Sequence, residues 1–190
     1  QRQMCIRDSS ITLGKAERLE DLINEFFEIT RFNIYDITLQ YTKINLTRLL
    51  EQLVYEFKPM LKSKNLQCNL CVDDDIMLRC DADKIQRVFD NLLRNAVIYS
   101  FENTDITISA QCQEDTVSII FCNHGDTLPE EKLNRIFEQF YRLDAARSTS
   151  SGGAGLGLAI VKQIVELHNG TIVAESQEDQ NKFSITLPLA

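Results

Sequence analysis

The chain has 190 residues, of which 44% are hydrophobic and 25% charged, with a formal net charge of −8 at pH 7. That length suits one ordinary domain plus an appendage, in the composition range of soluble globular chains. The acidic excess argues against a nucleic-acid partner, because phosphate backbones are gripped by clustered Lys and Arg. No run approaches the ~18 apolar residues of a membrane span. Cys5, Cys68, Cys71, Cys80, Cys112 and Cys122, with no secretory leader in view, point to a reducing compartment rather than a disulfide scaffold.

Residues 1–10 lack periodicity, and Gln3 to Ser9 reads like translated vector or adapter sequence, so they are set aside as a non-native or disordered leader. From 11 to 34 a helix is expected. Its stripe of Leu13, Ala16, Leu19, Ile23 and Phe26, widened by Leu22, Phe27 and Ile29, needs a partner helix from another chain or a missing segment. Residues 35–44 read as an extended linker, with Ile37 and Leu39 alternating. Asn45 then suits an N-cap for a helix from Leu46 to about Ser63, whose apolar face runs through Leu50, Leu53, Phe57 and Leu61.

A strand from Asn65 to Val72 carries Cys68 and Cys71 on opposite faces, which disfavours a metal or redox pair. Asp73 to Asp75 reads as a solvated turn, Ile76 to Cys80 as a short strand, and Asp81 as the cap of a helix from Ala82 to about Tyr99. The core face of that helix is Ile85, Val88, Phe89, Leu92 and Ala96, and Asn91 and Asn95 share its flank one turn apart. They either make local hydrogen bonds or point their carbonyl oxygens into a cleft, where such oxygens suit Mg²⁺.

A hairpin follows, with Ile106, Ile108, Ala110 and Cys112 alternating against Val117, Ile119 and Phe121, and it runs into Asn123-His124-Gly125. Glu130 to Phe140 is helical in pattern, and Asp144 to Ser151 is polar and small, as in a mobile loop. Gly152, Gly153, Gly155 and Gly157 then open an apolar helix that ends near His168. Free N–H groups on a helix's first turn, approached through glycine, suit a phosphate; a packing role for the glycines is the alternative. The spacing matches neither G-x-x-x-x-G-K-[ST] nor the dinucleotide G-x-G-x-x-G. A terminal hairpin, Ile172 to Glu175 against Phe183 to Leu187, closes the chain. The irregular interleaving predicts an α+β sandwich, a mixed sheet with helices on one face, preceded by a single long helix.

Four stretches in order resemble the N, G1, F and G2 boxes of sensor histidine kinases: Asn91 to Ser100, Asn123 to Gly125, Arg135 to Arg142, and Gly153 to Ile160. Residues 18–32 are similar to the second helix of that family's dimerisation module, and the wording near the glycines is similar to sensors of the vancomycin-resistance type. The resemblance implies the fold shared with gyrase and Hsp90 chaperones, and a catalytic ATP-binding domain over residues 45–190. It implies Asn95 as Mg²⁺ ligand, Asn91 beside the phosphates, Tyr99 as a wall, Asn123 at the adenine amino group and Gly125 admitting the base. Gly153, Gly155, Leu156 and Gly157 would form the lid hinge, and Arg142 is a candidate for stabilising γ-phosphate charge, with a surface ion pair as its alternative. A homodimer, a response regulator and a cytoplasmic position under a membrane-anchored bacterial sensor are implied for the intact protein, with any membrane contact through missing N-terminal segments.

The chain departs from the pattern in four ways. Asn123 stands where the family has Asp, so adenine selectivity is expected to survive with weaker affinity. Ile98 replaces a Lys, and Thr127 replaces the second glycine of G1. No phosphoacceptor His is present, since His124 and His168 read as structural or surface residues. Two rival readings remain at this level: an anti-sigma-type serine kinase, and a degenerate module that signals without catalysis.

Overall fold

The computed structural model describes residues 38–73, 75–142 and 155–189, together with Leu19 and Ile23. The chain divides into two units, Gln1–Ile37 and Thr38–Ala190. In the first, Leu19 and Ile23 are helical and 58% and 45% exposed, four residues apart on one helix face. The leader and the rest of the expected helix lie outside the described residues.

In the second unit, β1 (Tyr41–Asn45) leads into α1 (Leu46–Ser63). Asn45 caps α1 as expected, its Oδ1 accepting the Arg48 N–H at 2.9 Å. The helix closes where Asn65 turns left-handed, at φ 53°, and Leu66 returns its N–H to the Leu61 carbonyl at 2.9 Å. That C-terminal motif displaces the start of β2 (Gln67–Val72) from Asn65. Next come β3 (Met77–Asp81) and α2 (Ala82–Tyr99), and β1, the end of the expected linker, pairs antiparallel with β3. α2 buries Leu93 and Val97 in addition to its expected face.

The main sheet is mixed, as the sequence implied. β4 (Asp105–Gln113), β5 (Thr116–His124), β6 (Thr171–Gln177) and β7 (Gln180–Pro188) join β2 in the order β2-β4-β5-β7-β6, with only β2–β4 parallel. Along β5 the buried positions are Val117, Ile119, Phe121 and Asn123, so the inward face ends in a polar residue. α2 covers that face, with the Phe89 and Phe121 rings 5.8 Å apart. α4 (Gly157–Leu167) contributes Ile160, Val161, Ile164 and Val165 to the core. The expected helix from Glu130 to Phe140 is a correction: α3 stops after Glu130–Leu133. Pro129 offers no side-chain cap, Ile136 is the one buried residue of the segment, and Phe140 is exposed at φ 62°. Of its apolar residues at helical spacing only Ile136 finds a buried place, so that stretch gains little from staying helical.

Cys68 and Cys71 face opposite ways on β2, and burial pushes the Cys68 thiol up to about 11. Cys80 is pushed up to about 12 by burial and then by the neighbouring Asp81 carboxylate. Both thiols are therefore protonated at neutral pH and poor nucleophiles.

Asp81 joins three elements. Its Oδ1 accepts from Lys84 N–H at 3.2 Å to cap α2, its Oδ2 accepts from Gln40 N–H at 3.0 Å, and its own N–H donates to His168 Nε2 at 3.0 Å. His168 is 2% exposed, and its Nδ1 lies 2.8 Å from the Ile164 carbonyl, which fixes the neutral Nδ1–H tautomer. Its role is thus structural. Burial lowers the His168 pKa below the ordinary value of 6.5. Protonation would remove the acceptor for Asp81 N–H, so the stabilisation is full above that value and is lost as pH falls from it toward the folded pKa. Urea unfolding at pH 7.5 and 5.5 is expected to show this loss, and His168→Gln to flatten it. An unchanged pH slope in the variant would reject the assignment.

Candidate functional site

Asn91 of α2 and the glycine junction, far apart in sequence, meet in space. Asn91 Nδ2 donates to the Arg87 carbonyl at 3.0 Å, which turns Oδ1 toward the head of α4. A Cβ on Gly157 would lie 2.9 Å from that Oδ1, so a side chain there would crowd the amide. Asn95 is half-buried one turn further along the same flank. Leu156 precedes α4 without a side-chain cap, leaving the first-turn N–H groups free of one. Leu156 is 1% exposed, so its side chain is packed in the core and unavailable to a ligand.

Gly155 takes φ 77°, and an added Cβ would come 2.8 Å from the Tyr141 carbonyl oxygen and 3.1 Å from Arg142 Cγ. Its carbonyl accepts the Phe140 N–H at 3.0 Å, so Arg142 and the glycine junction sit side by side. Gly153 and the loop Asp144 to Ser151 lie outside the described residues.

At the other end, Phe101 N–H donates to the His124 carbonyl at 2.8 Å, laying the exit of α2 along the end of β5. A Cβ on Gly125 would overlap the Tyr99 carbonyl oxygen, and glycine permits that approach. Tyr99 is 48% exposed, whereas Asn123 is 2% exposed with no partner for its Nδ2. Lys64 reaches across from the end of α1 to the Ile98 and Ser100 carbonyls, at 2.5 and 3.2 Å. It supplies the cation that the last turn of α2 lacks.

Sequence reasoning missed what holds the loop after β5. Gly125 N–H donates to the Asp179 carbonyl at 2.9 Å, and Leu128 N–H to Ser176 Oγ at 2.7 Å. Ser176 Oγ donates to Asn181 Oδ1 at 2.6 Å, and Asn181 Nδ2 to the Asp126 carbonyl at 3.3 Å. Thr127, in place of the expected glycine, bonds both the carboxylate and the N–H of Asp179 through its hydroxyl, at 3.1 and 2.9 Å. A loop is thereby fastened to the turn between β6 and β7. No local signal marks these bonds; the structure brings Asn181 opposite Asn123 in the β5–β7 register.

Among the described residues no cluster of three His, Cys, Asp or Glu side chains forms. A divalent ion here would rest on amide oxygen and on its ligand's own phosphates, the hard donors that Mg²⁺ prefers. The uncapped head of α4 suits the phosphates, and the orphaned amide of Asn123 suits a hydrogen-bonding base. The residues fit a nucleotide.

Fold and site agree with sequence comparison, in which residues 80–190 match the family described as histidine kinase-, DNA gyrase B-, and HSP90-like ATPase. The chain belongs to that family. It is 50% identical over 178 residues to the sensor protein VanS of Enterococcus faecium, covering 94% of this chain and 46% of that protein. To the sensor protein VanSC of Enterococcus gallinarum it is 45% identical over 182 residues, or 96% of this chain and 50% of that one. The chain thus spans about half the length of the curated relatives it matches. The structure of histidine kinase ThkA in complex with response regulator protein TrrA is similar with a TM-score of 0.78 at 26% identity, over 95% of this chain and 50% of that one.

Proposed function

We propose that residues 45–190 are the catalytic ATP-binding domain of a two-component sensor histidine kinase, with residues 11–34 the second helix of its dimerisation module and 35–44 the linker. The observation that carries the reading is the convergence of Asn91 Oδ1 on the uncapped head of α4. When bound, ATP supplies the γ-phosphoryl group for transfer, and Mg²⁺ offsets its charge. Asn95 holds the metal, Asn91 lines the phosphates, and the backbone of Gly155, Leu156 and Gly157 faces them. Asn123 meets the base, Gly125 admits it, and Tyr99 walls it. Arg142, beside Gly155, stabilises charge developing on the transferred group.

The protein's task is positioning and electrostatics, because little covalent chemistry falls to its side chains. The acceptor histidine comes from a helix of the homodimer, and a response-regulator aspartate receives the phosphoryl group. The likeness to VanS and to ThkA in its TrrA complex supports that relay. No helix of the described residues is long and apolar enough to cross a membrane. We place the domain on the cytoplasmic side of a sensor anchored through segments N-terminal to it. Calorimetric titration with ATP is expected to show saturable binding that requires Mg²⁺. A folded chain that binds no ATP would overturn the reading.

A further inference from the structure

Resting on the nucleotide reading above, we propose that Asn123 reads the six-position of the purine with both ends of its amide, so that the site takes 6-oxopurine triphosphates as well as ATP. The side chain is 2% exposed, and its Nδ2 has no partner. The polar groups next to it in the chain, and Asn181 opposite it in the β5–β7 register, are paired elsewhere. Gly125 N–H is held by the Asp179 carbonyl, the His124 carbonyl by Phe101 N–H, and the Asn181 amide by Ser176 and the Asp126 carbonyl. A buried N–H without a partner is costly, and a ligand atom that accepts from it recovers that cost.

The chemistry of the amide decides which ligands qualify. One planar head carries an acceptor, Oδ1, and a donor, Nδ2. Adenine offers a donor at N6 beside an acceptor at N1, whereas hypoxanthine and guanine offer an acceptor at O6 beside a donor at N1. Both edges match an amide, with opposite polarity, and a half-turn about the last torsion of Asn123 exchanges the two. The two amide orientations have nearly the same shape, so the turn leaves the packing at this buried position unchanged. A carboxylate has acceptors only. It would pair with the adenine amine and repel O6, because a site rejects an analogue by leaving buried polar groups unmatched. Asparagine at this position gives up that exclusion, so the adenine selectivity expected from the sequence gives way to a choice between two edges.

The test is calorimetric titration of the whole chain with ATP and with inosine triphosphate, each with Mg²⁺; the second keeps O6 and N1–H and lacks the 2-amino group of guanine. The dissociation constant for inosine triphosphate is expected within about tenfold of that for ATP, and a wider gap overturns the proposal. Asn123→Asp is expected to widen the gap by about tenfold or more, and an unchanged ratio in a folded variant also overturns it. If burial of the new carboxylate prevents folding, the wild-type ratio alone decides. Failure of ATP itself to bind marks the fall of the nucleotide reading, a result distinct from selective loss of the inosine compound.

Discussion

Replacing Asn95 by alanine is expected to weaken Mg²⁺-dependent ATP binding by about 10- to 100-fold, the range seen when a bond to a charged group or a metal's support is removed. The same substitution is expected to leave the fold intact or slightly firmer. Asn95 lies inside an 18-residue helix, half-buried on its flank. Alanine is the better helix former there by about 0.5 kcal/mol. The core residues on either side, Leu92 and Ala96, keep their packing. Thermal melting and titration on the same preparation separate the two effects. Undiminished affinity in the variant would remove Asn95 from the metal site.

Gly125→Ala is expected to act on both stability and binding. The new methyl group would overlap the Tyr99 carbonyl oxygen and stand 3.2 Å from Asn181 Nδ2. Neither neighbour can retreat cheaply. The first is backbone at the end of α2, tied by Phe101 N–H to the His124 carbonyl at 2.8 Å. The second is a buried amide that holds the Asp126 carbonyl. Overpacking of this kind costs about 1–3 kcal/mol. At about 2–4 °C per kcal/mol for a chain of this size, the melting temperature should fall by roughly 2–12 °C. Because relief means moving the loop beside Asn123, ATP affinity should fall as well. A variant that melts and binds like the parent would show that the loop yields more freely than its hydrogen bonds imply.

The elements legible in the sequence were those with a long period and a chemical start signal. α1 and α2 each carry an apolar stripe over five turns and open on a side-chain cap, Asn45 and Asp81. The same periodicity put Asn91 and Asn95 on one flank. Asn123 was partly legible too, since the two-residue period of Val117, Ile119 and Phe121 carries it inward. What was hidden depends on partners distant in the chain. The loop from Gly125 to Leu128 is held by Ser176 and Asn181, 48 and 55 positions away from the residues they bond. The bond from Asp81 to His168 spans 87 positions. α3 misled for the opposite reason: its local pattern was helical, and no surface was there to receive it.

The bond from Phe140 N–H to the Gly155 carbonyl joins two points fifteen positions apart at the very root of the segment between them. Once the ends of a segment are tied, lengthening it costs only about 0.6 kcal/mol per doubling, and the cost is not passed on to what the ends support. Insertions and deletions between Arg142 and Gly153 can therefore accumulate without shifting α4 or changing its spacing from Asn91. The fold keeps one stretch free to vary in length directly beside the residues that cannot.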